Sequence, residues 1–185
     1  MEHKTWNELR DEAHQNSINH GWWKDRPSNE HFMCLIISEL MEAVQADRKC
    51  KIAQRRMYTI NVNTPQTDPE AHRRFIFEKF IKDSVEDELA DAMIRIFDLA
   101  GGNNVNLNGK ICLQHVVTKK KTFTENIYAI VKDLVNSRYD ISDKLNYCRM
   151  QISKLAEILD IELYWFIEQK MRYNLTREYK HGKEY

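Results

Sequence analysis

Two short acidic clusters, Glu39-x-x-Glu42 and Glu88-x-x-Asp91, lie inside segments that otherwise read as core-facing helices. Residues three apart share one helix face, so each pair aims its two carboxylates the same way. Around the first pair, Phe32, Leu35, Ile36, Ala43 and Ala46 fall on nearly the same side as Glu39. Around the second, Val85, Leu89, Ala92, Ile96 and Leu99 form the apolar stripe, with Glu88 and Asp91 on its border. A fold that packs these stripes together must bring carboxylates close to a core. Burying them unpaired is costly, and like charges raise one another's pKa. A hard divalent cation between the helices relieves both penalties, and oxygen-only ligands favour Mg²⁺ or Mn²⁺. The plainer reading is a set of solvated carboxylates on amphipathic helices, since Glu and Asp are rarely buried.

The remaining pattern is helical throughout. Thr5 is placed to cap a first helix reaching about His20, where Gly21 ends it and Trp22-Trp23 follows. Ser28 caps a long second helix that carries Glu39 and Glu42 and fades between Arg48 and Cys50. Residues 58–69 mix β-branched residues, Asn and two prolines, and read as a loop. Asp68-Pro69-Glu70 opens a third helix, expected to run unbroken to about Ala100 and to stop at Gly101-Gly102-Asn103-Asn104. Residues 103–121 are polar and irregular, ending in the run Lys119–Lys121. Three further helical stretches follow at about 124–138, 142–159 and 161–178, with Asp160 between the last two. No segment calls for a sheet. The expectation is one all-α domain over residues 1–185, a bundle of about five or six helices around a four-helix metal-binding core.

Composition narrows the function classes. Lys+Arg and Asp+Glu balance at 28 each, which gives no electrostatic case for a nucleic acid polymer as partner. No long apolar run or charged-then-apolar amino terminus is present, so neither a membrane span nor a secretory signal is expected, and a cytoplasmic protein is. Cys34, Cys50, Cys112 and Cys148 have no CxxC spacing and read as unpaired thiols. His14, His20, His31, His72 and His115 form no HxxxH or ExxH pair, which argues against a di-iron carboxylate bundle.

Lys170, Asn174 and Arg177 fall at i, i+4 and i+7 and share one face of the final helix. That face suits phosphate oxygens, with Arg able to bind bidentately, although a basic helix end also complements the macrodipole. Trp22 and Trp23 offer flat apolar surfaces for a nucleobase, or else anchors to the core. Asn16 and His20, one turn apart, are placed to add polar contacts. Arg95, one turn beyond Asp91, either reaches phosphate or pairs with Asp98 on its own helix.

Ser38-Glu39-Leu40-Met41-Glu42-Ala43 followed by Glu86-Asp87-Glu88-Leu89-Ala90-Asp91 resembles the ExxE…ExxD metal motif of the all-α nucleoside triphosphate pyrophosphohydrolases, the MazG-like group. The tail, Lys170-x-x-x-Asn174-x-x-Arg177 and then His181-Gly182-Lys183, resembles a third part of the same pattern. The gap between the two acidic motifs is longer here than in compact members. The resemblance implies cleavage of a nucleoside or deoxynucleoside triphosphate between the α- and β-phosphates, giving the monophosphate and pyrophosphate. It implies Glu39, Glu42, Glu88 and Asp91 as ligands of Mg²⁺ (Mn²⁺ as substitute), with Glu39 or Glu42 orienting the attacking water. Lys170, Asn174 and Arg177 are the implied substrate contacts; Trp22, Trp23 and Arg95 join them by their own placement, and Lys180, His181 and Lys183 either extend the grip or form a mobile tail. It also implies a homodimer or larger assembly, for which the helices around 124–159 would supply either a dimer face or the missing half within one chain. The rival class is a non-catalytic helical module for nucleotide sensing or protein interaction.

Overall fold

In a computed structural model, residues 3–109 and 120–182 are described; they form eight α-helices and contain no strand. These are α1 (Trp6–Asn19), α2 (Asn29–Arg48), α3 (Arg55–Val62), α4 (Pro69–Phe80), α5 (Val85–Gly102), α6 (Phe123–Leu134), α7 (Ile141–Ile158) and α8 (Leu163–Leu175), followed by a 3₁₀ turn at Tyr179–Gly182. Local chemistry fixes most starts. Thr5 and Thr122 each form a capping box with a Glu three residues on, satisfying two end N–H groups at once. Ser28, Asp68, Ser84 and Asp140 cap α2, α4, α5 and α7 through their side-chain oxygens, and Pro69 supplies a first helical residue that needs no N–H donor.

Helix α5 is the centre. Thirteen of its eighteen residues are buried, and α1, α2, α7 and α8 all pack against it. Its apolar side meets Ile36, Leu40, Leu145, Ile152 and Ile167 in one continuous core. Each such side chain contributes roughly 1.5–3 kcal/mol on burial. The α6–α7 hairpin covers α2 and α5 from one side, and the α3–α4 hairpin leans on α8 through Tyr58, Phe77 and Tyr173. No helix among the described residues is long and apolar enough to cross a membrane.

The helix count exceeds the expected five or six for two reasons. Residues 55–62, expected to lie partly in a loop, form α3 despite Thr59, Ile60 and Val62. Buried Tyr58 packs edge-on against Phe77 and Trp165 and donates to Gln169, so tertiary contact overrides weak propensity. The expected single helix from 69 to 100 is two. The chain breaks at Asp83, whose φ of 60° is left-handed, and Ser84 then caps α5. Asp160, at φ 57°, makes the expected break between α7 and α8. Cys34, Cys50 and Cys148 are free thiols, and burial pushes the Cys148 thiol up. Cys112, His115 and Lys119 lie outside the described residues, as do Lys183 and the side chains of Lys180 and His181.

Candidate functional site

A cavity of about 230 Å³ opens between α1, α2, α5, α8 and the α4–α5 turn. Helix α5 forms its floor, presenting Glu88, Asp91, Arg95 and Asp98 along one face. The cavity has an acidic end around the first two and a mixed polar end around the last.

At the acidic end, α2 brings Glu39 and Glu42 to Glu88, and one oxygen from each lies within 4.8 Å of the others. Asp91, expected as a fourth member, is instead drawn to α8: Lys170 Nζ donates to its carboxylate at 2.7 Å and to Asp87 at 2.8 Å. Asp87 also accepts from the Asp83 amide at 2.9 Å. It was missing from the expected set, yet the Ser84-x-x-Asp87 spacing, a cap with an acid three residues on, was there to be read. Five carboxylates thus crowd one region, and among the described residues their ion-pair partners are Lys170 and Arg95.

The electrostatics follow from that imbalance. Burial pushes Glu88 up to about 9, with Asp91 and Asp87 adding repulsion. Burial likewise raises Glu39 to about 7, and repulsion from Asp91 adds to it while Arg95 offsets only part. Asp87 rises to about 6 through burial, despite the opposing pull of Lys170. Lys170 itself is buried, which pulls its pKa down, but Asp91 and Asp87 outweigh this and hold it above the ordinary lysine range.

The residues present fit a small hard cation. With metal–oxygen bonds of about 2.1 Å, opposed ligand oxygens stand about 4.2 Å apart, so the observed cluster needs only small carboxylate rotations to close. Glu39, Glu42 and Glu88 would hold it, with Asp91 joining if its bond to Lys170 loosens. The cluster has no thiol or imidazole, which suits Mg²⁺ or Mn²⁺.

Arg95 lines the cavity floor, and its ion pair is with Glu39 on α2 rather than with Asp98 on its own helix. Its Nε donates to Glu39 at 3.0 Å, and its guanidinium lies 5.6 Å from the Trp22 ring centroid. The i,i+3 pair loses to a partially buried carboxylate that has no other cation. At the mixed end, Asn16, Ser17, His20 and Trp22 line the wall from α1 and the turn after it. His20 places Nδ1 and Nε2 at 2.8 and 3.1 Å from the carbonyl oxygens of Asn16 and Arg177, joining α1 to the end of α8. Trp23 is not brought to the cavity. It stacks on Phe32 with centroids 4.3 Å apart and donates its indole N–H to Asp98, so of the two tryptophans only Trp22 faces the cavity. Lys170, Asn174 and Arg177 all line the cavity as their shared face requires, although Arg177 lies just past the end of α8.

No protein-family model, no curated protein and no solved structure matches this chain.

Proposed function

We propose that this cavity is the active site of an intracellular Mg²⁺-dependent hydrolase that converts a nucleoside or deoxynucleoside triphosphate to the monophosphate and pyrophosphate. One observation carries the reading: Glu39, Glu42 and Glu88 converge from two helices beside a cavity, and burial leaves the charge of Glu39 and Glu88 under-compensated. The motif resemblance to the MazG-like group supports it. When bound, Mg²⁺ would supply neutralisation of phosphate charge and polarisation of a water.

The chain's own residues account for the rest. Water attacks the α-phosphorus, the bond from that phosphorus to the α–β bridging oxygen breaks, and pyrophosphate departs with the bridging oxygen. Glu42, the exposed member of the cluster and in no ion pair among the described residues, is placed to orient the water and take its proton. Arg177 at the rim and Lys170 beside Asp91 supply positive charge to phosphate oxygens, and Trp22 gives the base a face. A homodimer or larger assembly belongs to this reading.

A non-catalytic nucleotide-sensing or protein-interaction module is the second reading. The Lys170 bridge favours it, because it gives Asp87 and Asp91 a cation with no ligand bound. Pyrophosphate release from a panel of NTPs and dNTPs, with Mg²⁺ and with EDTA, decides between them. Metal-dependent release that Glu39→Gln abolishes supports the enzyme. A folded protein that releases none from any substrate, and whose Tm is indifferent to Mg²⁺ and Mn²⁺, rejects it.

A further inference from the structure

At the mixed end of the cavity, Asp98 is a buried carboxylate, 3% exposed, and all three of its side-chain donors come from one short segment. Oδ1 accepts from Trp23 Nε1 at 2.7 Å and stands 2.9 Å from His14 Nδ1, while Oδ2 accepts from Ser17 Oγ at 2.7 Å. His14, Ser17 and Trp23 span the last turns of α1 and the turn beyond it. That same segment supplies Asn16, His20 and Trp22 to the cavity. Holding and presenting residues share this stretch: Ser17 is tied to Asp98 and lines the cavity beside Asn16, and Trp23 is tied while Trp22 faces the cavity.

Backbone packing reinforces the tie. A Cβ on Gly101 would overlap His14, and one on Gly102 would overlap the Trp23 ring, so the segment sits directly on the end of α5. Hydrogen bonds to an ionised acceptor in a low-dielectric site are stronger than neutral ones, and three of them fix position as well as distance. Along the helix, Asp98 lies about 10 Å from Asp91, so it can set this wall without touching the acidic cluster.

We infer that Asp98 is a positioning residue: it locks the α1–Trp22 wall in place and thereby sets which base and sugar the cavity accepts. This rests on the nucleotide reading of the cavity. Selection between similar substrates depends on a few contacts held at fixed geometry, so a loosened wall loses discrimination before it loses chemistry.

The test compares wild type with Asp98→Ala, Asp98→Asn, Ser17→Ala and Trp23→Phe over a panel of NTPs and dNTPs, alongside Mn²⁺ titration of each protein without nucleotide. Asp98→Ala is expected to raise KM for the best substrate by about tenfold, the scale of leaving buried donors unpaired, and to compress the ranking between substrates. Its kcat on the best substrate should fall far less, and its Mn²⁺ affinity should match wild type. Ser17→Ala and Trp23→Phe, each losing one donor, should shift the ranking in the same direction by less, which decides the matter if Asp98→Ala does not fold. Asp98→Asn should recover most of the ranking, because its carboxamide oxygen still accepts from Trp23 and the Ser17 hydroxyl can turn to accept from the new NH₂. Folded variants with wild-type KM values and ranking overturn the role of Asp98 and leave the hydrolase reading standing. A wild-type protein that neither hydrolyses nor binds any nucleotide overturns both.

Discussion

The two sides of α5 are built on opposite terms. Toward α7 and the α6–α7 hairpin, the buried surface is aliphatic, and its polar groups are mostly amides with local partners. Asn126 donates to the Thr122 carbonyl, Asn146 to those of Asn106 and Ser142, and Gln151 to Asp133. The buried Arg149 rests its guanidinium against Trp6, although its Nε has no hydrogen-bond partner among the described residues. Toward α2 and α8, by contrast, five carboxylates share two cations, and three of them are driven well above the ordinary carboxylate range. One side is what a stable bundle needs. The other reduces stability in the absence of a ligand, and groups held against their solvation preference in a cavity are where function concentrates.

Replacing Glu39 by Gln should break the contrast most sharply. Turnover should fall about a thousandfold or more, the scale of losing a principal electrostatic group. The metal-free Tm should change little, because losing the repulsion from Asp91 offsets losing the ion pair with Arg95; a lower Tm with activity retained would place Glu39 in the structure rather than the chemistry. Removing Lys170 tests the other half of the same balance. Lys170→Ala should cost about 3 kcal/mol in denaturant unfolding of the metal-free protein, since it strands Asp87 and Asp91. It should also weaken nucleotide binding more than metal binding, and equal losses in the two titrations would contradict its assigned contact with phosphate.

The pH dependence sharpens the comparison. Glu39 at about 7 and Glu88 at about 9 lie above the ordinary 4.5, so the folded protein holds protons that the unfolded chain has lost. The resulting stability is fully present below about pH 4.5 and is lost as pH rises through about 7 and then about 9. Thermal melts of the metal-free protein should therefore fall across that window. Saturating Mn²⁺ should flatten the decline, and calorimetry should register protons released on binding. A melt insensitive to pH from 6 to about 9 would remove the charge crowding from the argument. The smallest effect is expected on the quiet side: Ile152→Val in α7 should cost about 1 kcal/mol and leave Mn²⁺ affinity alone.

Much of this was legible in the chain because it is local. Caps at Thr5, Ser28 and Asp68, the stop at Asn103-Asn104 and the apolar stripe of α5 are each written within a few residues. The convergence of Glu39, Glu42 and Glu88 follows once those stripes pack. What escaped depends on register between distant segments. Lys170 lies 83 positions from Asp87, and no spacing rule says which carboxylate it meets. Arg95 has a tempting local partner in Asp98, but burial gives the choice to Glu39, 56 positions away. Trp22 and Trp23 look equivalent as a sequence, and only the turn after Gly21 sends one to the cavity and the other to Phe32. The break at Asp83 was written in the Asp83-Ser84 pair, a cap signal that the continuous apolar pattern on either side masked.

The Lys170 bridge also has a meaning in time. Synthesis proceeds from the amino terminus, so α1, α2 and α5 emerge long before α8 and can begin to collapse on their apolar stripes. Until Lys170 follows, Asp87 and Asp91 lack the ammonium group that bridges them. The last helix thus sets the order of assembly: the cavity takes its final shape only when the carboxy-terminal helix docks.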